Sequence, residues 1–163
     1  MARTERKTPA HRKTARAGAR GASPSHTRTT GAVAARPAAP KLPRAVAGAV
    51  RAAREKKASD IVVLDLRKAG GFTDYFVLCT GGNPRQIQAI ADAVEETLRR
   101  DVGERPALVE GVEKSEWILL DYFNFVVHVF SRECRAFYGL ERLWGSAVRY
   151  DVPGEERAAA AHR

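Results

Sequence analysis

A chain that runs strand, tight turn, strand and helix with almost no spacer has few folds open to it. Residues 117–144, WILLDYFNFVVHVFSRECRAFYGLERLW, have this form. Trp117–Tyr122 and Phe125–Phe130 alternate as strands around a turn at Phe123-Asn124, where Asn124 is the residue expected to take the left-handed conformation. Ser131 suits a helix N-cap and Glu133 its first turn. The helix is expected to bury Ala136, Phe137, Leu140, Leu143 and Trp144. Alternation sets Trp117, Leu119 and Asp121 on one strand face, and Ile118, Leu120 and Tyr122 on the other. The segment holds more large aromatics than a small core needs, which points to a domain that presents a surface to a macromolecule.

Upstream, the same reading gives a helix over 44–58, with Val46 and Val50 four apart, and a strand at Asp60–Leu66. A Gly70-Gly71 turn then leads to a second strand at Asp74–Thr80, expected to pair with the first as a hairpin. Asn83 and Pro84 supply the N-cap and first position of a helix. Its apolar stripe is Ile87, Ile90, Ala91, Val94 and Leu98, and Gly103 ends it. Pro106–Glu110 is a short strand. The sum is a single two-layer α/β domain at 44–150, a mixed five-stranded sheet with flanking helices. A polar, Ala-rich tail follows at 151–163.

Charge separates this domain from what precedes it. Residues 1–43 carry ten Lys/Arg against one acid, Glu5, and so all of the formal +9; the remaining 18 basic and 18 acidic residues cancel. A segment of this composition has too little apolar surface to offset its ordering entropy and reads as a disordered basic arm. It could collect on RNA phosphates through counterion release, serve as a solubilising extension, or be an organelle transit peptide, and all three readings stay open. No apolar run approaches the ~20 residues of a membrane span, so no membrane partner is expected. Cys79 and Cys134 lack C-x-x-C spacing and read as reduced structural thiols, with no metal site.

Signals for catalysis are thin. Gly81-Gly82 before a helix N-terminus could cradle phosphate, but neither the P-loop nor the dinucleotide fingerprint accompanies it. Asp60 and Asp65 fall on opposite faces of a regular strand, and Asp74 and Asp121 suit strand-end roles. His128 shares a strand face with Val126 and Phe130 and reads as a hydrogen-bonded structural histidine. No enzyme activity and no cofactor are expected. For Trp117 and Tyr122, at strand ends, core and interface roles weigh alike, because Trp and Tyr are favoured interface anchors.

Taken in order, DIVVLDL (60–66), FTDYFVLCTG (72–81), RQIQAIAD (85–92), VEG (109–111), WILLD (117–121), VVHVF (126–130) and YGLERLW (138–144) resemble the ribosomal silencing factor, or Iojap-related, family. The resemblance spans residues 44 to about 147. It implies a fold similar to nucleotidyltransferases without demonstrated transferase chemistry. It also implies docking on the protein numbered fourteen in the large ribosomal subunit series, at the intersubunit face. Bound there, such a protein blocks small-subunit joining and represses translation under nutrient limitation; organelle relatives act in large-subunit assembly. By position, the family's surface residues correspond to Trp117, Asp121, Arg135, Tyr138, Leu140, Glu141 and Trp144. A homodimer off the ribosome and a bacterial cytoplasmic location are expected, with a mitochondrial or plastid matrix as the alternative. The turn at Phe123-Asn124 departs from the family's usual Gly-Asp, Asn83-Pro84 from its usual Ser or Thr, and a basic arm of this length from its bacterial members.

Overall fold

The computed structural model describes residues 40–153. The expected disorder of the arm and fraying of the tail fall almost wholly outside them. Within them the chain runs α1 (Arg44–Glu55), β1 (Ser59–Asp65), β2 (Tyr75–Thr80), α2 (Pro84–Val102), β3 (Leu108–Glu110), β4 (Trp117–Asp121), β5 (Phe125–Phe130), α3 (Arg132–Tyr138), α4 (Leu140–Leu143) and β6 (Val148–Asp151).

The sheet has six strands in the order β3-β4-β5-β2-β1-β6. Five were expected. The sixth, β6, pairs antiparallel with β1 and covers what would have been a bare edge. Val152 N–H adds a bond to Ile61 O, 2.9 Å, so ordered pairing runs past the boundary expected at residue 150. The β1–β2 hairpin pairs antiparallel as expected. β2 and β5 are parallel, and α2 lies in the long connection between them, as a parallel pairing requires.

Alternation sorts the strands cleanly. Ile61, Val63, Tyr75, Val77, Cys79, Ile118, Leu120, Tyr122, Phe125, Val127 and Val129 face one core with α1 and α2. Val62, Leu64, Leu66, Phe76, Leu78, Val126 and Phe130 face the other way, with Trp117, Leu119, Leu140 and Trp144 against them. Cys79 and Cys134 therefore lie on opposite faces with the sheet between them. Burial pushes the Cys79 thiol up to about 12, which makes it inert.

Caps follow the sequence signals. Asn83 accepts from Gln86 N–H, Ser131 accepts from Cys134 N–H, and Gly103 closes α2 in the left-handed conformation. The last helix differs from expectation. Gly139 takes φ +54 and divides it into α3 and α4. The break rotates one apolar stripe against the other, leaving Phe137 79% and Leu143 72% exposed instead of buried. The turn before β5 also differs. Phe123, not Asn124, has the positive φ, +66, while Asn124 N–H donates to Tyr122 O at 2.8 Å.

Candidate functional site

On the sheet face away from α1 and α2, aromatic rings meet in a continuous row. Trp144 meets Phe76 edge-on at 5.8 Å, Phe76 meets His128 at 4.7 Å, and His128 meets Trp117 at 5.9 Å. Trp117 touches Tyr138 at 4.7 Å, and Tyr138 touches Phe137 at 5.1 Å. At the other end Phe72, 77% exposed, leans on Trp144 at 6.5 Å and on Phe76 at 5.9 Å. Strand spacing supplies the middle of the row; the β1–β2 loop and α3 supply the open ends.

The centre is locked. Trp117 stacks on Phe130 at 4.9 Å, and its Nε1–H donates to His128 Nδ1 at 3.2 Å. That bond uses the Nδ1 lone pair, so the neutral ring carries its proton on Nε2, which is buried with no hydrogen-bond partner among the described residues. Burial pulls the His128 pKa down to about 4, so the imidazole is neutral near pH 7. Trp117 stays half-buried above it, its indole orientation set by stack and hydrogen bond together.

The site residues expected from sequence divide into groups. Trp117, Tyr138, Leu140 and Trp144 come together on this face. Tyr122 does not: 5% exposed, it lies in the α1/α2 core, stacked on Phe125 at 4.8 Å, because its strand parity points it away from Trp117. A partner-contact role for Tyr122 is corrected on that ground. Arg135 and Glu141 are turned inward. Arg135 donates to Glu141 Oε1 from Nε and Nη2 at 3.0 and 2.6 Å, and from Nη1 to Asp60 O and Thr80 Oγ1 at 2.6 and 2.8 Å. The guanidinium thus ties α3 and α4 to the β1–β2 edge. Burial opposes ionisation of Glu141, but Arg135 holds its carboxyl below the usual range. Asp121 accepts Phe123 N–H at 2.8 Å and fixes the turn.

Phe72, Phe137 and Leu143 were absent from the expected surface. Gly139 was a readable helix-stop signal for the last two, and the Gly70-Gly71 turn placed Phe72 outside any strand.

The glycine pair and the strand-end carboxylate weighed for chemistry make structural bonds. Gly81 N–H donates to Phe130 O at 2.9 Å, and Gly82 N–H to Gln86 Oε1 at 2.7 Å. Gln86 Nε2 in turn bonds Lys56 O and Lys57 O. A Cβ on Gly81 would stand 2.6 Å from Ile87 Cγ1, so the glycine serves close approach of strand and helix. Asp65 is held below its usual pKa first by the Arg67 side chain, which bonds both carboxylate oxygens at 3.0 and 2.7 Å. Among the described residues no three His, Cys, Asp or Glu side chains gather where a metal could be held.

These features define a small α/β domain that offers an aromatic surface. A family model described as ribosomal silencing factor during starvation matches residues 39–163, and the chain belongs to that family. It is 37% identical over 106 residues to a ribosomal silencing factor of Halalkalibacterium halodurans, covering 65% of this chain and 90% of that one. A solved structure of a protein from Chromobacterium violaceum is similar at a TM-score of 0.59 with 34% identity, over 62% of this chain and 83% of that chain. A mouse protein named for mitochondrial assembly of the ribosomal large subunit is 28% identical over 93 residues, 56% of this chain and 41% of its own length. The family's description is of a regulatory role, silencing of the ribosome during starvation.

Proposed function

We propose that this protein docks on the large ribosomal subunit through the aromatic row and keeps the small subunit from joining, repressing translation under nutrient limitation. The observation that carries the reading is the row itself. Its centre is held by stacking and a hydrogen bond, and its ends, Phe72 and Phe137, stand in solvent, as does Leu143 of α4; contiguous exposed apolar surface of this kind marks interaction sites. The mechanism needs occupation and no chemistry: an interface of ~800 Å² per partner is within reach of a domain this size. The partner is the large-subunit protein numbered fourteen. Off the ribosome, the same face can be covered by a second copy, giving a homodimer. Its bacterial relative favours a bacterial cytoplasm, and the mouse relative keeps an organelle matrix in view.

The basic arm at 1–43 is assigned to ribosomal RNA. Deleting it is expected to flatten the salt dependence of large-subunit binding while leaving protein docking intact, since counterion release follows the number of phosphates neutralised. An unchanged salt slope would make the arm a bystander.

Sedimentation with isolated subunits tests the central reading. Co-sedimentation with the large subunit and loss of whole-ribosome formation are expected. Binding without loss of reassociation would favour an assembly role, the second reading, supported by the name of the mouse relative. No binding would sink both and send attention to nucleotides.

A further inference from the structure

We infer that Phe123, at the tip of the β4–β5 turn, is a docking residue that seats its ring in an apolar recess of a protein on the large subunit; this rests on the docking reading above. The backbone at Phe123 has φ +66, in a three-residue turn closed by Asn124 N–H to Tyr122 O. Such turns are rare because a side chain at positive φ crowds its own backbone. A turn selected for stability alone would put Gly or Asn there, and Asn124 stands one residue too late.

The conformation is enforced from three sides. Asp121 Oδ1 accepts Phe123 N–H, Phe123 O accepts from Thr73 Oγ1 at 2.8 Å, and Asn124 O accepts from Asp74 N–H at 3.0 Å. All that bonding holds out a phenyl ring that is 76% exposed and so adds little to the core. Strain together with exposure marks a residue kept for something outside the fold.

The same bonds tie the tip to the β1–β2 loop at Thr73, the residue after Phe72, whose ring reaches Trp144 at the end of the aromatic row. The ring's own chemistry chooses the partner class. The turn from Asp121 to Phe125 contains one acid and no base, while Arg67, Lys68 and Asp74 lie in the β1–β2 loop beside it, so net charge there favours neither sign strongly. A phenyl ring offers a phosphate no donor, while an apolar recess on a protein accepts a rigid ring.

The test measures affinity for isolated large subunits and thermal stability on the same variants. Phe123→Gly removes both ring and strain. Binding should weaken at least about tenfold while Tm rises by about 2–4 °C. Phe123→Tyr keeps the ring and should match the wild type in Tm and bind within about twofold of it. Opposite movement of affinity and Tm separates docking from a structural role. Wild-type affinity in Phe123→Gly, or a fall in its Tm, overturns the inference and leaves the docking reading standing. An equal loss of binding to protein-free ribosomal RNA overturns the assignment to a protein recess. Failure of the wild type to bind overturns both.

Discussion

The two faces of the sheet are built from the same strands yet differ in how they are closed. One lies under α1 and the 19-residue α2, whose Val46, Ile87, Ile90, Val94 and Leu98 meet mainly aliphatic strand residues with almost no exposure. The other lies under α3 and α4, seven and four residues long and divided at Gly139. Strand alternation gives a central strand two apolar faces whether or not both are needed for stability. Long helices turn one of them into core. A short, broken cover leaves rings at its rim, and that residue of apolar surface is what a partner can use. Both faces hold core residues, but on the docking reading only the rim of the second meets a partner, so stability and docking should be open to separate damage.

The largest effect belongs to the closed face. Leu98→Ala should cost about 3–4 kcal/mol by leaving a cavity between α1 and α2, read as a lower urea midpoint. Large-subunit affinity of the folded protein should not change; a parallel loss would show the faces to be coupled. Next comes the locked centre of the open face. His128 has its pKa depressed by burial to about 4, against about 6.5 in the unfolded chain. As pH falls the unfolded chain takes up the proton first. The contribution of neutral His128 is complete above about pH 6.5 and drains away towards pH 4, reaching about 3 kcal/mol. His128→Asn offers Trp117 an oxygen where Nδ1 stood but cannot titrate, so its stability should slope less between pH 6.5 and 4.5. Identical slopes in urea titrations would mean that some other group governs that window.

What the sequence makes legible follows the same division. The closed face is local in its grammar: Ile87 to Leu98 recur at helical spacing, Asn83-Pro84 and Gly103 mark the ends, and strand parity sets Ile118 and Leu120 inward. Parity also placed Trp117 correctly, and the structural reading of His128 holds. The open face depends on long-range geometry. β6, VRYD, is polar and mostly exposed, so no alternation announces it; only the unpaired edge of β1 gives it a place. Phe137 and Leu143 fall on one stripe if the last helix is continuous, and off it once Gly139 turns left-handed. Arg135 looks like a surface cation until Asp60 O and Thr80 Oγ1, far away in sequence, are seen to receive it. Tyr122 shows the converse, since its parity already opposed it to Trp117 and the strand-end position outweighed that signal.

The smallest effect on stability is the most informative about the open face. Phe137 is 79% exposed and its ring contact is with Tyr138, itself half in solvent. Phe137→Ala removes little from the folded core, so unfolding free energy should stay within about 0.5 kcal/mol of the wild type. If the row is the docking surface, the same change removes an aromatic anchor from the bound state. Affinity for large subunits should then fall about tenfold, or about 1.4 kcal/mol. Equilibrium unfolding and subunit titration on one preparation give both numbers. A stability loss of about 2 kcal/mol would mean the ring packs as core does, erasing the contrast between the faces. Unchanged affinity would move the docking surface off α3 and towards the Phe72–Trp144 end of the row. Leu98→Ala and Phe137→Ala thus form a crossed pair: each leaves intact what the other destroys only if one face holds the fold and the other the partner.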